Sequence, residues 1–203
     1  MIKNIIFDMG GVLIDWTPDL LLDAIHIEGQ NREDLKREIF RETEWIAMDA
    51  GTMSHEEAYA SVCKRLDERL HPVAEFLIKN WHTLPFREKE GITDLIRELY
   101  DKSYKLYLLS NADNKQKEYF YRLPGSACFT GRVTSAEIGL LKPGKEIFDY
   151  LCKEYDLKAE ECFFVDDSNL NVYMARKYGF EACVYFETDR LRQTMKEAGI
   201  SIK

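Results

Sequence analysis

Two rhythms of apolar residues divide this chain. The run Lys3–Phe7 is short, apolar and β-branched, and it stops at Asp8 and the Gly10-Gly11 pair, which predicts a strand. From about Pro18 to Trp81 strand patterns are scarce and helical spacing takes over. Ala58, Val62, Leu66 and Leu70 recur every fourth residue and predict one apolar stripe on one helix. Glu33–Phe40 and Val73–Trp81 also carry helical spacing, and Gly51 reads as a turn between helices.

Beyond residue 88 the two rhythms alternate. Ile92, Leu95, Ile96 and Leu99 mark an amphipathic helix. Tyr104–Leu109 predicts a strand ending at Ser110-Asn111, Asp113–Tyr121 a helix, and Arg132–Ser135 a short strand. Lys145–Tyr155 predicts a helix behind Pro143-Gly144. Cys162–Val165 is an apolar strand ending at Asp166-Asp167, and Asn169–Tyr178 is a helix stopped by Gly179. Ala182–Phe186 and Asp189–Ala198 complete the series as a strand and a helix.

Alternation of this kind predicts an α/β fold: a Rossmann-like parallel sheet flanked by helices. The helical block interrupts that sheet after its first strand, and a structureless loop of about 70 residues would be implausible there. The expected organisation is therefore an α/β core from residues 1–15 and 88–203, with an inserted all-helical domain over 16–87.

Composition narrows the partners. A length of 203 residues suits one domain carrying an insertion. Apolar residues at 45% and charged residues at 32% exclude long disorder. The net charge of −8 argues against a nucleic-acid partner, which calls for a basic face. No apolar run approaches the ~18 residues of a membrane span, and the start MIKNIIFDMGG has no signal-peptide pattern. Five scattered cysteines without a C-x-x-C pair read as reduced thiols, so a cytoplasmic protein is expected, as a monomer or weak homodimer. The four histidines show no metal-ligand spacing.

Open parallel sheets bind ligands at the carboxyl ends of their strands. Asp8, Ser110-Asn111 and Asp166-Asp167 all follow predicted strands, and Lys142 precedes Pro143 in a loop leading to a helix. Gathered carboxylates repel and raise one another's pKa, so a hard divalent cation is their natural partner. Mg2+ takes one or two carboxylates and completes its shell with water or a phosphate. Lys142 and Ser110 can neutralise and hydrogen-bond the remaining phosphate oxygens, and one carboxylate can serve as nucleophile, forming an aspartyl-phosphate. These residues point to Mg2+-assisted phosphoryl transfer on a small phosphorylated metabolite.

The segments FDMGGVLID, LLSNAD, LLKPGKEIF and FVDDSNLN resemble, in order and spacing, motifs one to four of the haloacid dehalogenase-like hydrolases. The helical insertion resembles that family's helical cap. The resemblance implies Asp8 as nucleophile and metal ligand, and Ser110 with the Asn111 backbone as holders of the phosphoryl oxygens. It implies that Lys142 neutralises the phosphate and orients Asp8. Asp167 matches the metal ligand of motif four, and the carbonyl of Gly10 would be a further ligand. Asp166 stands where many members have Gly and some a second acid, and reads either as a metal ligand or as support for one.

One position departs from the pattern. Most phosphatases of the family carry a second Asp two residues after the nucleophile, as general acid and base; here it is Gly10. A D-x-G motif one is similar to that of a glucose-1-phosphate phosphatase-like subgroup, which makes a sugar phosphate the favoured substrate. Asp15 is a candidate substitute acid, set against a plain reading as an acidic residue at the cap hinge. Two alternatives remain: a 2-haloacid dehalogenase, and a phosphate-ligand-binding protein of low activity. Trp16, Trp45 and Trp81 read as core, Glu44, Asp49 and His55 as solvated surface, and Lys36-Arg37 and Lys64-Arg65 as solvated helix faces.

Overall fold

The computed structural model describes residues 1–203. In chain order it begins with strands β1 (Asn4–Phe7) and β2 (Ile14–Asp15). Helices α1 (Pro18–Ala24), α2 (Gly29–Leu35), α3 (Thr43–Asp49), α4 (His55–Val62) and α5 (His71–Asn80) follow, then β3 (Arg87–Glu88), α6 (Ile92–Asp101) and β4 (Lys105–Ser110). The chain continues through α7 (Gln116–Tyr119), β5 (Phe129–Thr134), α8 (Ser135–Ile138), α9 (Lys145–Glu154), β6 (Cys162–Asp166), α10 (Asn169–Lys177), β7 (Glu181–Val184) and α11 (Thr188–Glu197).

Five strands form a parallel sheet in the order β5-β4-β1-β6-β7. Strand period two splits its apolar residues between two cores. Ile5, Phe7, Leu106, Leu108, Phe163 and Val165 pack on one face with Leu95, Leu99 and Met195 of α6 and α11. Ile6, Tyr107, Leu109 and Phe164 pack on the other with Ile147, Phe148 and Val172 of α9 and α10. Both faces are covered, which is why β1 and β6 are buried at every position. In the register, Phe7 lies opposite Leu108 on one side and Val165 on the other. Asp8, Ser110 and Asp166 consequently emerge together at the carboxyl edge.

The α/β class is as expected, and two helical expectations need correction. The stripe Ala58–Leu70 is not one helix: α4 ends at Val62, and the N–H groups of Lys64 and Arg65 tighten onto the carbonyls of Ser61 and Val62. Asp67 then opens a separate 3-10 turn, its carboxylate accepting from the Arg69 N–H at 2.9 Å. All four apolar residues are nevertheless buried. Asp113–Tyr121 is helical only over Gln116–Tyr119, followed by a 3-10 turn at Phe120–Arg122. Asp113 instead uses its carboxylate to accept from the Lys115 N–H at 2.9 Å, closing a turn.

Of the basic pairs, Lys64 is exposed as expected, but Lys36, Arg37 and Arg65 are held in ion pairs. Lys36 meets Asp19 at 3.0 Å. Arg65 reaches Glu38 at 2.9 Å and Glu44 at 2.8 Å, and both acids are buried, Glu38 within the π-helical turn Lys36–Phe40. Glu44 is thus a buried ion-pair partner and not solvated surface. Arg65→Met leaves the buried Glu44 without its cation, while Glu38 keeps Arg37 at 2.7 Å, so urea denaturation should show a loss of roughly 3 kcal/mol.

The sequence pattern also gives no sign of a second, two-stranded sheet. Ile14 and Asp15 pair antiparallel with Glu88 and Arg87, so the chain enters and leaves the helical block side by side. Asp15 is paired here with Lys89 at 2.5 Å and Arg87 at 3.2 Å. No helix is long and apolar enough to cross a membrane.

Candidate active site

A cavity of about 220 Å³ opens at the carboxyl edge of the sheet. The core contributes Asp8, Met9, Gly10, Ser110, Asn111, Ala112, Asp113 and Asp167; the helical block and its entry contribute Trp16, Trp45, Asp49 and Trp81. Asp8, Asp166 and Asp167 offer carboxylate oxygens that lie within 4.8 Å of one another. The sequence-predicted residues Asp8, Gly10, Ser110, Asn111 and Asp167 therefore share one cavity, with Asp166 and Lys142 just behind it.

Lys142 organises this cluster. Its ammonium, buried with its residue at 4% exposure, sits 2.8 Å from Asp8 Oδ1 and 2.7 Å from Asp166 Oδ2. Burial works against its charge, but the two carboxylates outweigh that and hold its pKa above the ordinary lysine range. Its backbone is fixed by Asn111, whose side chain donates to the Lys142 carbonyl at 2.9 Å and accepts from the Lys142 N–H at 2.8 Å. Asn111 thus has a side-chain task, bracing the lysine loop, that its motif position did not reveal.

The acids are not equivalent. Burial pushes the Asp8 carboxyl up to about 7; Lys142 opposes this and the Asp166 charge adds to it. Asp166 is fully buried, and both its oxygens are engaged. Oδ2 accepts from Lys142 and from Asn171 Nδ2 at 3.1 Å, and Oδ1 accepts from the Ser168 N–H at 2.8 Å and from Asn171 at 3.0 Å. Asp167 is exposed at the cavity mouth; desolvation there, and then the Asp166 charge, raise its pKa. Gly11 makes room for it. At φ +77 a side chain is strained, and a Cβ would stand 2.2 Å from Asp167 Oδ2.

The helical block supplies what the sequence pattern misplaced. Trp81 is buried in the core, as expected, and Trp16 and Trp45 pack against that core half-buried, yet all three also line the cavity. They pack on one another, Trp16 to Trp45 at 5.5 Å and Trp16 to Trp81 at 6.0 Å between ring centroids. Asp49 lines the cavity instead of facing solvent, and His55 is drawn to Asp113 at 2.9 Å. Asp15, the sequence-level candidate for a substitute acid, does not line this cavity.

A parallel α/β sheet with acids, a buried lysine and a hydroxyl at its carboxyl edge places these polar groups where open α/β proteins bind their ligands. The chain belongs to the haloacid dehalogenase-like hydrolases, whose family model matches residues 2–179. It is 26% identical to a D-ribitol-5-phosphate phosphatase of Bacteroides thetaiotaomicron over 89% of this chain and 90% of that protein. It is 29% identical to a sesquiterpene phosphatase of Aspergillus oryzae over 87% of this chain and 86% of that protein. Among solved structures, it superposes at a TM-score of 0.70 and 19% identity on a family enzyme from Bacteroides thetaiotaomicron. That enzyme is an alanine variant of one aspartate, in complex with magnesium and inorganic phosphate, and the match covers 92% of this chain and 95% of that one.

Proposed function

We propose that this chain is a Mg2+-dependent phosphatase of a small phosphorylated metabolite, working through an aspartyl-phosphate on Asp8. The observation that carries the reading is the Asp8–Lys142–Asp166 chain of contacts opening into the cavity beside Asp167. The donor set is hard oxygen throughout, which suits Mg2+. Asp8, Asp167 and the Gly10 carbonyl would hold the ion, with Asp166 behind them orienting Lys142 and adding negative charge. When bound, Mg2+ would neutralise charge on the phosphate oxygens. Lys142 favours the ionised form of Asp8 and aims it, and Ser110 with the Asn111 backbone holds the phosphoryl oxygens. The helical segment 16–87 acts as the cap, closing the alcohol end of the substrate away from water. A haloacid dehalogenase needs no metal and has no use for three gathered acids.

None of the residues lining the cavity is basic, so the alcohol part of the substrate carries no second anionic group. Three tryptophan faces suit the apolar face of a sugar or polyol, and Asp49 and Asp113 suit its hydroxyls. The relatives named as a D-ribitol-5-phosphate phosphatase and a sesquiterpene phosphatase support this reading. Sugar phosphates remain the favoured class. Phosphate release from a panel of sugar, polyol and terpenyl monophosphates, bisphosphates and nucleotides tests it. Mg2+-dependent turnover of neutral-alcohol monoesters supports it, and preference for bisphosphates or nucleotides counts against it.

Gly11→Ala probes the metal directly. A Cβ against Asp167 displaces that carboxylate, so the Mg2+ concentration for half-maximal activity should rise roughly 10–100-fold. Unchanged Mg2+ dependence would remove Asp167 from the ligand set.

A further inference from the structure

Gly10 leaves the reaction without a proton donor next to the nucleophile. We propose that Asp49, at the end of α3, is the general acid that protonates the leaving alcohol and then the base that activates water. This rests on the phosphatase reading above.

Asp49 and Asp113 are the two acids lining the cavity outside the Asp8–Asp166–Asp167 cluster. Asp113 is already committed: Oδ2 meets His55 Nε2 at 2.9 Å and Oδ1 accepts from the Lys115 N–H. The Asp49 carboxyl has no hydrogen-bond partner or neighbouring cation, and burial, then Asp113 and Asp8, push it up to about 8. Each influence favours the protonated form, which is what a donor to a leaving oxygen requires.

The fold holds Asp49 in place through its backbone, leaving the carboxyl free. The Ser135 hydroxyl donates to the Asp49 carbonyl at 2.5 Å and accepts from the Ala112 N–H at 2.9 Å, tying α3 to the loop after β4. Gly51 lets the chain turn here: its φ is +69, and a Cβ would stand 2.4 Å from the Ala136 carbonyl oxygen. Asp49 thus comes from the helical block but is anchored to the core that carries Asp8.

In the first step an Asp8 oxygen bonds to phosphorus and the ester P–O bond breaks. Its electron pair goes to the leaving oxygen, which takes the Asp49 proton and departs as alcohol. In the second step the Asp49 carboxylate takes a proton from water as the water oxygen bonds to phosphorus. The P–O bond to Asp8 breaks, returning Asp8 as carboxylate, releasing inorganic phosphate and leaving Asp49 protonated for the next turnover.

The test compares two phosphate monoesters: an alkyl ester, whose alkoxide needs a proton to leave, and p-nitrophenyl phosphate, whose phenolate leaves without one. For Asp49→Asn, kcat/KM reports the first step, and the aryl-to-alkyl ratio should rise on the order of 100-fold as the alkyl rate collapses. Asp49→Glu, which keeps a proton, should recover part of the alkyl rate. Equal losses for both esters, or an unchanged alkyl rate, would overturn the role of Asp49 while leaving the phosphatase reading intact. Absence of any Mg2+-dependent turnover by the unsubstituted chain beyond that of Asp8→Asn would overturn the phosphatase reading, and this assignment with it.

Discussion

Asp8→Asn is expected to lower phosphatase turnover by roughly 10⁴-fold or more, the scale on which losing a nucleophile costs an enzyme. Asparagine fills the same space at the end of β1, so the loss reports chemistry and not folding. The same variant should change the pH dependence of stability in the metal-free protein. The folded pKa of Asp8, about 7, lies above its ordinary value of 3.8. Between those values the folded state holds more protons than the unfolded one, so Asp8 makes stability fall as pH rises through that window. Asparagine removes that slope, and thermal denaturation at intervals from acid to neutral pH should show a flatter profile than the unsubstituted chain. An equally steep profile would mean that Asp8 is ionised in the fold at all these pH values.

The second large effect belongs to Lys142. Lys142→Met removes the ammonium lying between Asp8 and Asp166 and leaves Asp166, at 0% exposure, without its cation. Breaking a buried pair from one side should destabilise the chain by roughly 3–5 kcal/mol, read by urea denaturation without metal. Turnover should fall by roughly 10²–10³ as well, because positive charge at the phosphoryl oxygens is lost. Mg2+ should recover part of the stability but little of the rate, since the ion supplies charge without Lys142's hold on Asp8. A variant as stable as the original would mean that the two acids already share a proton in the fold.

The core of the site was legible because its signals are local. Asp8, Ser110 and Asp166 each end an apolar run, and parallel pairing brings the ends of those runs to one edge whatever the intervening chain does. The helical block was harder, because helical spacing tells which residues share a face but not what that face meets. Trp45 and Asp49 sit four residues apart in α3, and only the packing of α3 against the core turns both toward the cavity. Arg65 looked like half of a solvated pair until Glu38 and Glu44, far back in the sequence, came within reach. The β2–β3 pair left no trace because two residues per strand are too few for a periodic pattern.

The place of β1 in the sheet also shapes the order of assembly. The strand that carries Asp8 precedes the other four strands of its sheet in the sequence, yet it lies between β4 and β6, and Asn4 pairs with Cys162, 158 residues later. At about 5–20 residues per second, the ribosome needs roughly 10–30 s to supply that neighbour. Until then the emerging Ile5-Ile6-Phe7 segment has no finished sheet to enter, and sticky apolar residues wait in the nascent chain. Competence for chemistry therefore arrives late in biosynthesis, and unfinished chains shorter than about residue 166 carry Asp8 without the acid and strand that complete its surroundings.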